Sequence, residues 1–490
     1  MDQIETNISG GQNQILPSVT QAVQNNYYGM PSQLPSNEVY KRSDTVFILG
    51  AGVEAVLGIP TSASLIPNIV DYIETEEGKQ IDAALRKAIG GVRFHFSTFV
   101  NNTIDKLAKD LDPQIDTIIH DVEEELRVNA NIDEAQRKMG NLIVRLFSKI
   151  RDVKNGAAID EETSLLIEEV IGAPVRDEAI IDFRHLNYTD TFKTIIVEIL
   201  QKSMHESSNP ILRHVYKNIL DIEQLLAQYF YGFYSGMPSY IRTYLYISWM
   251  LWAYLVHEEQ RVRKEKTELL EDASEFVDKD GLIEQRIVSI YKQLANSDFT
   301  TITFNYTSFA RELSETSLYF NGNLMQYVDI ENKNEFTIED IDTIDILDFV
   351  QNRLKDELSL SGDRKAIPIP SFLPPLKLKP VISSRYIDTW YKASEFLRGA
   401  SKILVLGYSF TTPDDYFCEM LRQSRNAHII IINNDLDNVA RNVCRVFQLP
   451  NNRYTRQLID GIEHRTYDNR IEIIAADLAT INIAELLDKE

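Results

Sequence analysis

Gly50-Ala51-Gly52-Val53-Glu54-Ala55 satisfies the pattern GxGxxG/A directly after the apolar run Thr45 to Leu49. Residues this small let backbone amides approach a dinucleotide's diphosphate at the start of a helix. The same triplet also serves as a plain tight turn. An ordinary dinucleotide unit would put a ribose-binding acid at the end of its second strand, but Asp71 falls within a helical pattern, which disfavours a dehydrogenase of the usual kind. Three further polar groups close apolar runs: Asn305 after Phe299 to Phe304, Gly407-Tyr408-Ser409 after Lys402 to Leu406, and Asn433-Asn434-Asp435 after His428 to Ile432. Open α/β sheets bind ligands at the carboxyl ends of their strands. There an amide such as Asn305 can hold a ribose hydroxyl or a water beside a reacting carbon. Ser409 can contact a ribose, and residues 433 to 435 offer acceptors for adenosine hydroxyls. Each has a plainer reading: a turn-capping Asn305, a helix N-cap at Ser409, and a turn at 433 to 435.

These residues need a sheet to bring them together, and the chain has the pattern of one. Thr45 to Leu49 is rich in β-branched and aromatic residues and reads as a buried strand entering a glycine turn. Helix-like spacing follows through Ala55, Val56 and Leu57 and again from Leu65 to Val70, broken at Gly58-Ile59-Pro60. Between about 77 and 296 the pattern becomes long amphipathic stretches: Leu107 to Leu126, Leu142 to Val153, Phe192 to Met204, Ile211 to Tyr231 and Tyr240 to Arg263. Short apolar runs return after Ser297 and end with Arg470 to Ala475, with helical patterns between the later ones. That alternation predicts parallel strands joined by crossover helices. The expected fold is therefore α/β, a Rossmann-like parallel sheet with a large, mainly helical inserted domain. Residues 39–76 and 297–490 form the α/β domain, 77–296 the insert, and 1–38, rich in Asn, Gln, Ser, Gly and Pro, a polar low-complexity arm.

Bulk composition narrows the function classes. With 50 basic and 73 acidic residues the net charge is −23, which repels nucleic-acid phosphates and anionic membrane surfaces. No direct nucleic-acid or membrane partner is expected. The most hydrophobic stretch, Thr243 to Val256, carries no charge and is shorter than the roughly 20 residues a bilayer span needs. It reads as a buried helix with Tyr244, Trp249, Trp252 and Tyr254 as core aromatics. Only Cys418 and Cys444 are present and there is no CxxC pair, which excludes a four-cysteine zinc site and fits a reducing cytoplasm. No metal is expected. The charge run Glu258 to Glu271 reads as a solvated helix face.

Gly50-Ala-Gly-Val together with Gly58-Ile-Pro60-Thr61 is similar to the opening motif of the sirtuin (silent information regulator) superfamily. Three further segments match in order. Thr303-Phe-Asn305-Tyr-Thr307 resembles its Thr-x-Asn-x-Asp motif, Leu406-Gly-Tyr-Ser-Phe410 its glycine-serine ribose motif, and Ile432-Asn-Asn-Asp435 its adenosine-side motif. The proline-rich stretch Pro368 to Pro380 looks like that of the bacterial anti-phage NADase branch.

The resemblance implies a sirtuin-like domain that takes NAD as substrate and cleaves it to nicotinamide and ADP-ribose, as an effector of abortive-infection defence. It also implies a homo-oligomer and a separate sensor or regulatory defence protein. Protein deacylation is disfavoured because the insert is unlike the zinc module of deacylating sirtuins. Carried over by position, Asn305 is catalytic, and Gly50, Ala51, Gly52, Gly58, Pro60, Thr61, Gly407, Tyr408, Ser409, Asn433, Asn434 and Asp435 bind the dinucleotide. Two departures stand out. Thr307 occupies the place of the family's acidic residue, and Asn321, in Phe320-Asn-Gly-Asn323, that of its catalytic histidine. An amide is no general base near neutral pH. The chain has no histidine between His257 and His428, and those at 95, 120, 185, 205, 214 and 257 read as structural. Glu54, Asp414 and Asp415 are the substitutes by location, although Glu54 reads more simply as a solvated carboxylate at a helix start. Asn321 keeps a second function open: an inactive or weakened NAD- or ADP-ribose-binding regulatory or scaffolding subunit.

Overall fold

The computed structural model describes residues 44–100, 102–103, 114–129, 132–153, 222–265, 290–294, 299–313, 317–360, 365–373, 383–410, 414–459 and 461–478. The polar arm at 1–38, the amphipathic stretch Phe192 to Met204, His185, His205 and His214, and the second half of the proline-rich stretch lie outside them.

The chain enters the sheet at β1 (Thr45–Leu49) and turns into the short α1 (Ala51–Ala55). The helices α2 (Leu65–Glu74), α3 (Glu76–Ile89), α4 (Gln114–Val128), α5 (Glu134–Val153), α6 (Ile222–Ser235), the long α7 (Pro238–Glu265) and the short α8 (Ile290–Leu294) follow. Strands then return as β2 (Thr300–Thr303), β3 (Leu318–Tyr319), β4 (Gly322–Asp329), β5 (Glu335–Thr337) and β6 (Pro368–Phe372). The last part runs α9 (Ser384–Gly399), β7 (Lys402–Leu406), α10 (Asp415–Arg422), β8 (His428–Ile432), α11 (Leu436–Phe447), β9 (Thr455–Ile459), β10 (Ile462–Tyr467) and β11 (Ile471–Ile474).

The main sheet has eight strands in the order β3-β2-β1-β7-β8-β11-β10-β9. From β3 to β11 the pairings are parallel, and the β10–β11 and β9–β10 pairings are antiparallel. The fold class read from the sequence, α/β with a mainly parallel sheet, is the one observed. The central strands are buried on both faces, which is why they read as continuous apolar runs. Alternate residues serve opposite faces. Val46, Ile48, Ile403, Val405, Ile429 and Ile431 pack with α9, α10 and α11. Phe47, Leu49, Leu404, Leu406, Ile430 and Ile432 pack with Val53, Val262 of α7 and Tyr291 of α8.

A second core is built around α7. Its segment Tyr244–Val256 is apolar on every side and buried, and it packs with α2, α3, α6 and an antiparallel three-stranded sheet ordered β5-β4-β6. The buried indoles stay hydrogen-bonded: Trp249 Nε1 donates to Pro368 O at 3.0 Å and Trp252 Nε1 to Leu324 O at 2.8 Å. The expected core role of Tyr244, Trp249, Trp252 and Tyr254 is the observed one. The first half of the proline-rich stretch is β6, an edge strand, where missing N–H groups are tolerated. No helix among the described residues is long and apolar enough to cross a membrane.

Candidate functional site at the strand ends

The chain order places a reversal beside β1. From β1 the chain proceeds to β2 and β3 on one side, then crosses to β7 and β8 on the other. Open α/β sheets bind ligands outside the carboxyl ends of the strands at such a switch point. The polar groups singled out in the sequence lie there: Gly50–Gly52 after β1, Asn305 after β2, Gly407–Ser409 after β7 and Asn433–Asp435 after β8. Asn321 joins them through backbone bonds, because Phe320 N donates to Thr303 O at 2.9 Å and Leu324 N to Tyr306 O at 2.8 Å. These two bonds bracket Asn305 and Asn321 and hold their segments side by side.

The two glycine loops are closed on each other. Gly50 N donates to Leu406 O at 2.9 Å, Gly52 N to Gly407 O at 3.0 Å and Val53 N to Gly50 O at 3.1 Å. The sequence reading of the glycine turn as a set of amides offered to a diphosphate is thereby corrected: three of these N–H groups are spent within the chain. Ala51, exposed at the start of α1, keeps its amide without a partner among the described residues. The glycines are required by this contact, since a Cβ on Gly50 would lie 2.4 Å from Gly407 O. Gly58 adopts φ +93° and ends α1's turn, with Pro60 and Thr61 half-buried behind it.

Several side chains do other work than the sequence suggested. Tyr408 is buried, stacked on Phe304 at 4.5 Å between centroids and edge-on to Phe410 and Phe417, so its ring belongs to the core rather than to a ligand. Ser409 is no helix cap, because α10 begins at Asp415 with Asp414 as its N-cap, and Ser409 O accepts from Asn442 Nδ2 at 2.9 Å. The turn reading describes Asn433 and Asp435. Asn433 Oδ1 accepts from Asp435 N at 3.0 Å and Asp435 caps α11 by accepting from Asn438 N at 3.4 Å, while Asn434 is exposed. Asn321 is buried; its carbonyl accepts from Leu373 N at 2.6 Å, and Gly322 beside it has φ +83° and leaves no room for a Cβ, which would strike Ser371 O. Asp414 is buried against Tyr408 and Cys418, and Asp415 pairs with Arg445 at 3.4 Å. His95 contacts Arg86, and His257 contacts Glu77 and Tyr72, all within the helical part.

Glu54 is the main correction. It is 3% exposed and therefore not a solvated helix-start carboxylate. Its Oε1 accepts from Thr307 Oγ1 at 2.5 Å and from the Tyr291 hydroxyl at 2.6 Å. Burial pushes its carboxyl up to about 7, against the lowering effect of those two hydrogen bonds. Asn305, 6% exposed, completes the group: its Nδ2 donates to Gly50 O at 3.2 Å and to the Tyr291 hydroxyl at 3.3 Å. Burial and the neighbouring Glu54 together hold the Tyr291 phenol well above its ordinary range.

A second buried carboxylate grips the next residue of the same loop. Glu259 of α7 is 1% exposed, which corrects the reading of the 258–271 charge run as wholly solvated. It accepts from Ser308 N at 2.9 Å, bonds the Ser308 hydroxyl, and pairs with Arg263 at 3.1 Å. Arg263 also donates to Ser308 Oγ at 2.9 Å and lies over the Phe309 ring. Burial raises the Glu259 carboxyl and Arg263 lowers it, with the net direction upward. Sequence reasoning missed Tyr291, Glu259, Arg263 and Ser308. Nothing in their spacing marks them, since Tyr291 meets Glu54 across 237 residues.

No described group of three or more His, Cys, Asp and Glu residues is arranged to hold a metal ion. No family model matches the chain, and no curated protein matches it. Among solved structures a similar chain is a Sir2 variant solved with a deacetylated p53 peptide and 3'-O-acetyl ADP ribose. It is 17% identical over 30% of this chain and 57% of its own, with a TM-score of 0.20. So slight an overlap bears no weight; the fold rests on the strand order and pairing seen here.

Proposed function

We propose that this chain binds NAD across the carboxyl ends of β1, β2, β7 and β8 and hydrolyses it to nicotinamide and ADP-ribose, as an effector of anti-phage defence. The observation that carries the reading is the convergence, at one switch point, of two asparagines and two glycine loops that lie far apart in sequence. In the reaction water adds to the anomeric carbon of the nicotinamide ribose and the glycosidic C–N bond breaks. The electron pair leaves with nicotinamide and one proton is released. Asn305 Oδ1, which has no hydrogen bond among the described residues, is the atom suited to hold the ribose hydroxyl or the water. The oligomer and the sensor partner belong to this reading through the motif resemblance, and a cytoplasmic site of action through the low cysteine count.

A second reading has its own observation. Asn321 is an amide where a titrating group would serve, and it favours a subunit that holds NAD or ADP-ribose without cleaving it. The test is nicotinamide release from NAD, followed by chromatography with mass detection, together with NAD binding by calorimetry. The hydrolase reading expects release from the wild-type chain and a loss of at least about a hundredfold in Asn305→Ala, the scale of one lost transition-state hydrogen bond. Binding without release, weakened by Asn305→Ala, moves the conclusion to the second reading. Release gained in Asn321→His then identifies an ablated hydrolase. A wild-type chain that neither binds nor cleaves NAD overturns both.

A further inference from the structure

Asn305 has two ways to sit in its pocket, and the hydrogen bonds decide between them. An amide's oxygen and nitrogen ends are similar in shape, so their placement follows from the donors and acceptors around them. Gly50 O can only accept, whereas the Tyr291 hydroxyl can accept or donate. What makes Tyr291 an acceptor is that its one proton is committed to Glu54 Oε1 at 2.6 Å, which leaves its lone pairs to Asn305 Nδ2 at 3.3 Å. We propose that Glu54 is the positioning residue of Asn305: by accepting the hydrogen bond of the Tyr291 hydroxyl it points the amide nitrogen inward and leaves Oδ1 to meet the ligand.

A second observation supports the assignment independently. Thr307, two residues beyond Asn305 in the sequence, offers a further hydroxyl to Glu54. The structure places the two in direct contact at 2.5 Å. Two hydroxyls, those of Tyr291 and Thr307, thus converge on the carboxylate beside Asn305. The groups facing Glu54 are Thr307, Tyr291 from α8, the side-chain amide of Asn305 itself, Glu259 from α7 with its partner Arg263, and Tyr319 from β3. Glu259 is already paired with Arg263 and Ser308, so Glu54 is the carboxylate that Tyr291 and Thr307 address.

The inference takes its ligand from the proposed function, but the orientation of Asn305 can be read without any ligand. The first experiment uses the full chain with ¹⁵N-labelled asparagine and follows the Asn305 side-chain amide pair, identified by its loss in Asn305→Asp. Its signals are expected to titrate with a midpoint near 7, and to stay still in Glu54→Gln. Signals that ignore pH in the wild-type chain, or titrate equally in Glu54→Gln, overturn the inference. The second experiment measures NAD affinity by calorimetry. Glu54→Ser and Thr307→Asp are each expected to weaken binding about tenfold, and the exchanged pair Glu54→Ser with Thr307→Asp to return within about threefold, as coupled neighbours do. Single variants that bind as the wild type does overturn the inference, as does a double variant that regains thermal stability without affinity. A wild-type chain that binds no NAD sinks the proposed function alone, and the amide titration then decides the inference by itself.

Discussion

At the scale of single residues, Glu54 links the site's chemistry to the chain's stability. An acid whose pKa is raised by folding holds its proton more tightly folded than unfolded, so the folded state loses ground as pH climbs through the interval between the two values. For Glu54 that interval runs from the ordinary 4.5 to about 7, and stability is flat in this group above it. The raised Glu259 acts in the same direction. Glu54→Gln keeps the shape and removes the charge. We expect it to gain on the wild-type chain by roughly 3 kcal/mol between the low and high ends of that window. Urea denaturation at both ends checks this, and a difference that does not change with pH would show that Glu54 ionises freely in the fold.

At the scale of elements, the β1 turn and the β7 turn approach each other backbone to backbone. Gly407 has φ +62°, and a Cβ on it would lie 2.8 Å from Gly52 Cα and from Val53 N. Backbone atoms cannot swing aside as a flexible side chain can. Gly407→Ala is therefore expected to destabilise the chain by about 2–4 kcal/mol, combining a left-handed conformation with overpacking. The midpoint of chemical denaturation reads this directly. Gly90, with φ +66° and ψ 138° but open space around its would-be Cβ, is the control: Gly90→Ala carries conformational strain alone and is expected to cost about 1–3 kcal/mol.

At the scale of the whole molecule, α7 ties the helical core to the sheet. Its apolar middle fills the core with α2, α3 and β4–β6, its Val262 reaches the sheet face, and its Glu259 and Arg263 hold Ser308 three residues beyond Asn305. Damage in the helical core should therefore be felt across the sheet. Trp249 and Trp252 lie in α7, and Trp390, the remaining one of the chain's 3 tryptophans, lies in α9, where it packs against both the helical core and the sheet core on the α9 side. Replacing Trp249 and Trp252 by Leu removes buried aromatic volume at an expected cost of about 3 kcal/mol or more, and makes Trp390 the sole fluorescent reporter. Its unfolding midpoint is expected to fall with the rest of the chain. A Trp390 transition left in place would mean that the two cores unfold separately.

By itself the sequence determined the parallel strands and the place where chemistry could gather. Thr45–Leu49, Lys402–Leu406 and His428–Ile432 are strands from end to end because a strand buried on both faces writes itself as an unbroken local apolar run. The groups at their carboxyl ends follow from that register. The strands of the smaller sheet were not legible in the same way: β4 and β6 carry polar residues and prolines, and their apolar side chains are buried against α7, a distant part of the chain. What the tertiary structure alone decided is how each side chain is used. Tyr408 went to the core, the glycine amides to a neighbouring loop, and Glu54 inward to Tyr291 and Thr307. Those outcomes depend on partners tens to hundreds of residues away, and burial and hydrogen bonding at such separations are set by how the elements pack, not by the local pattern.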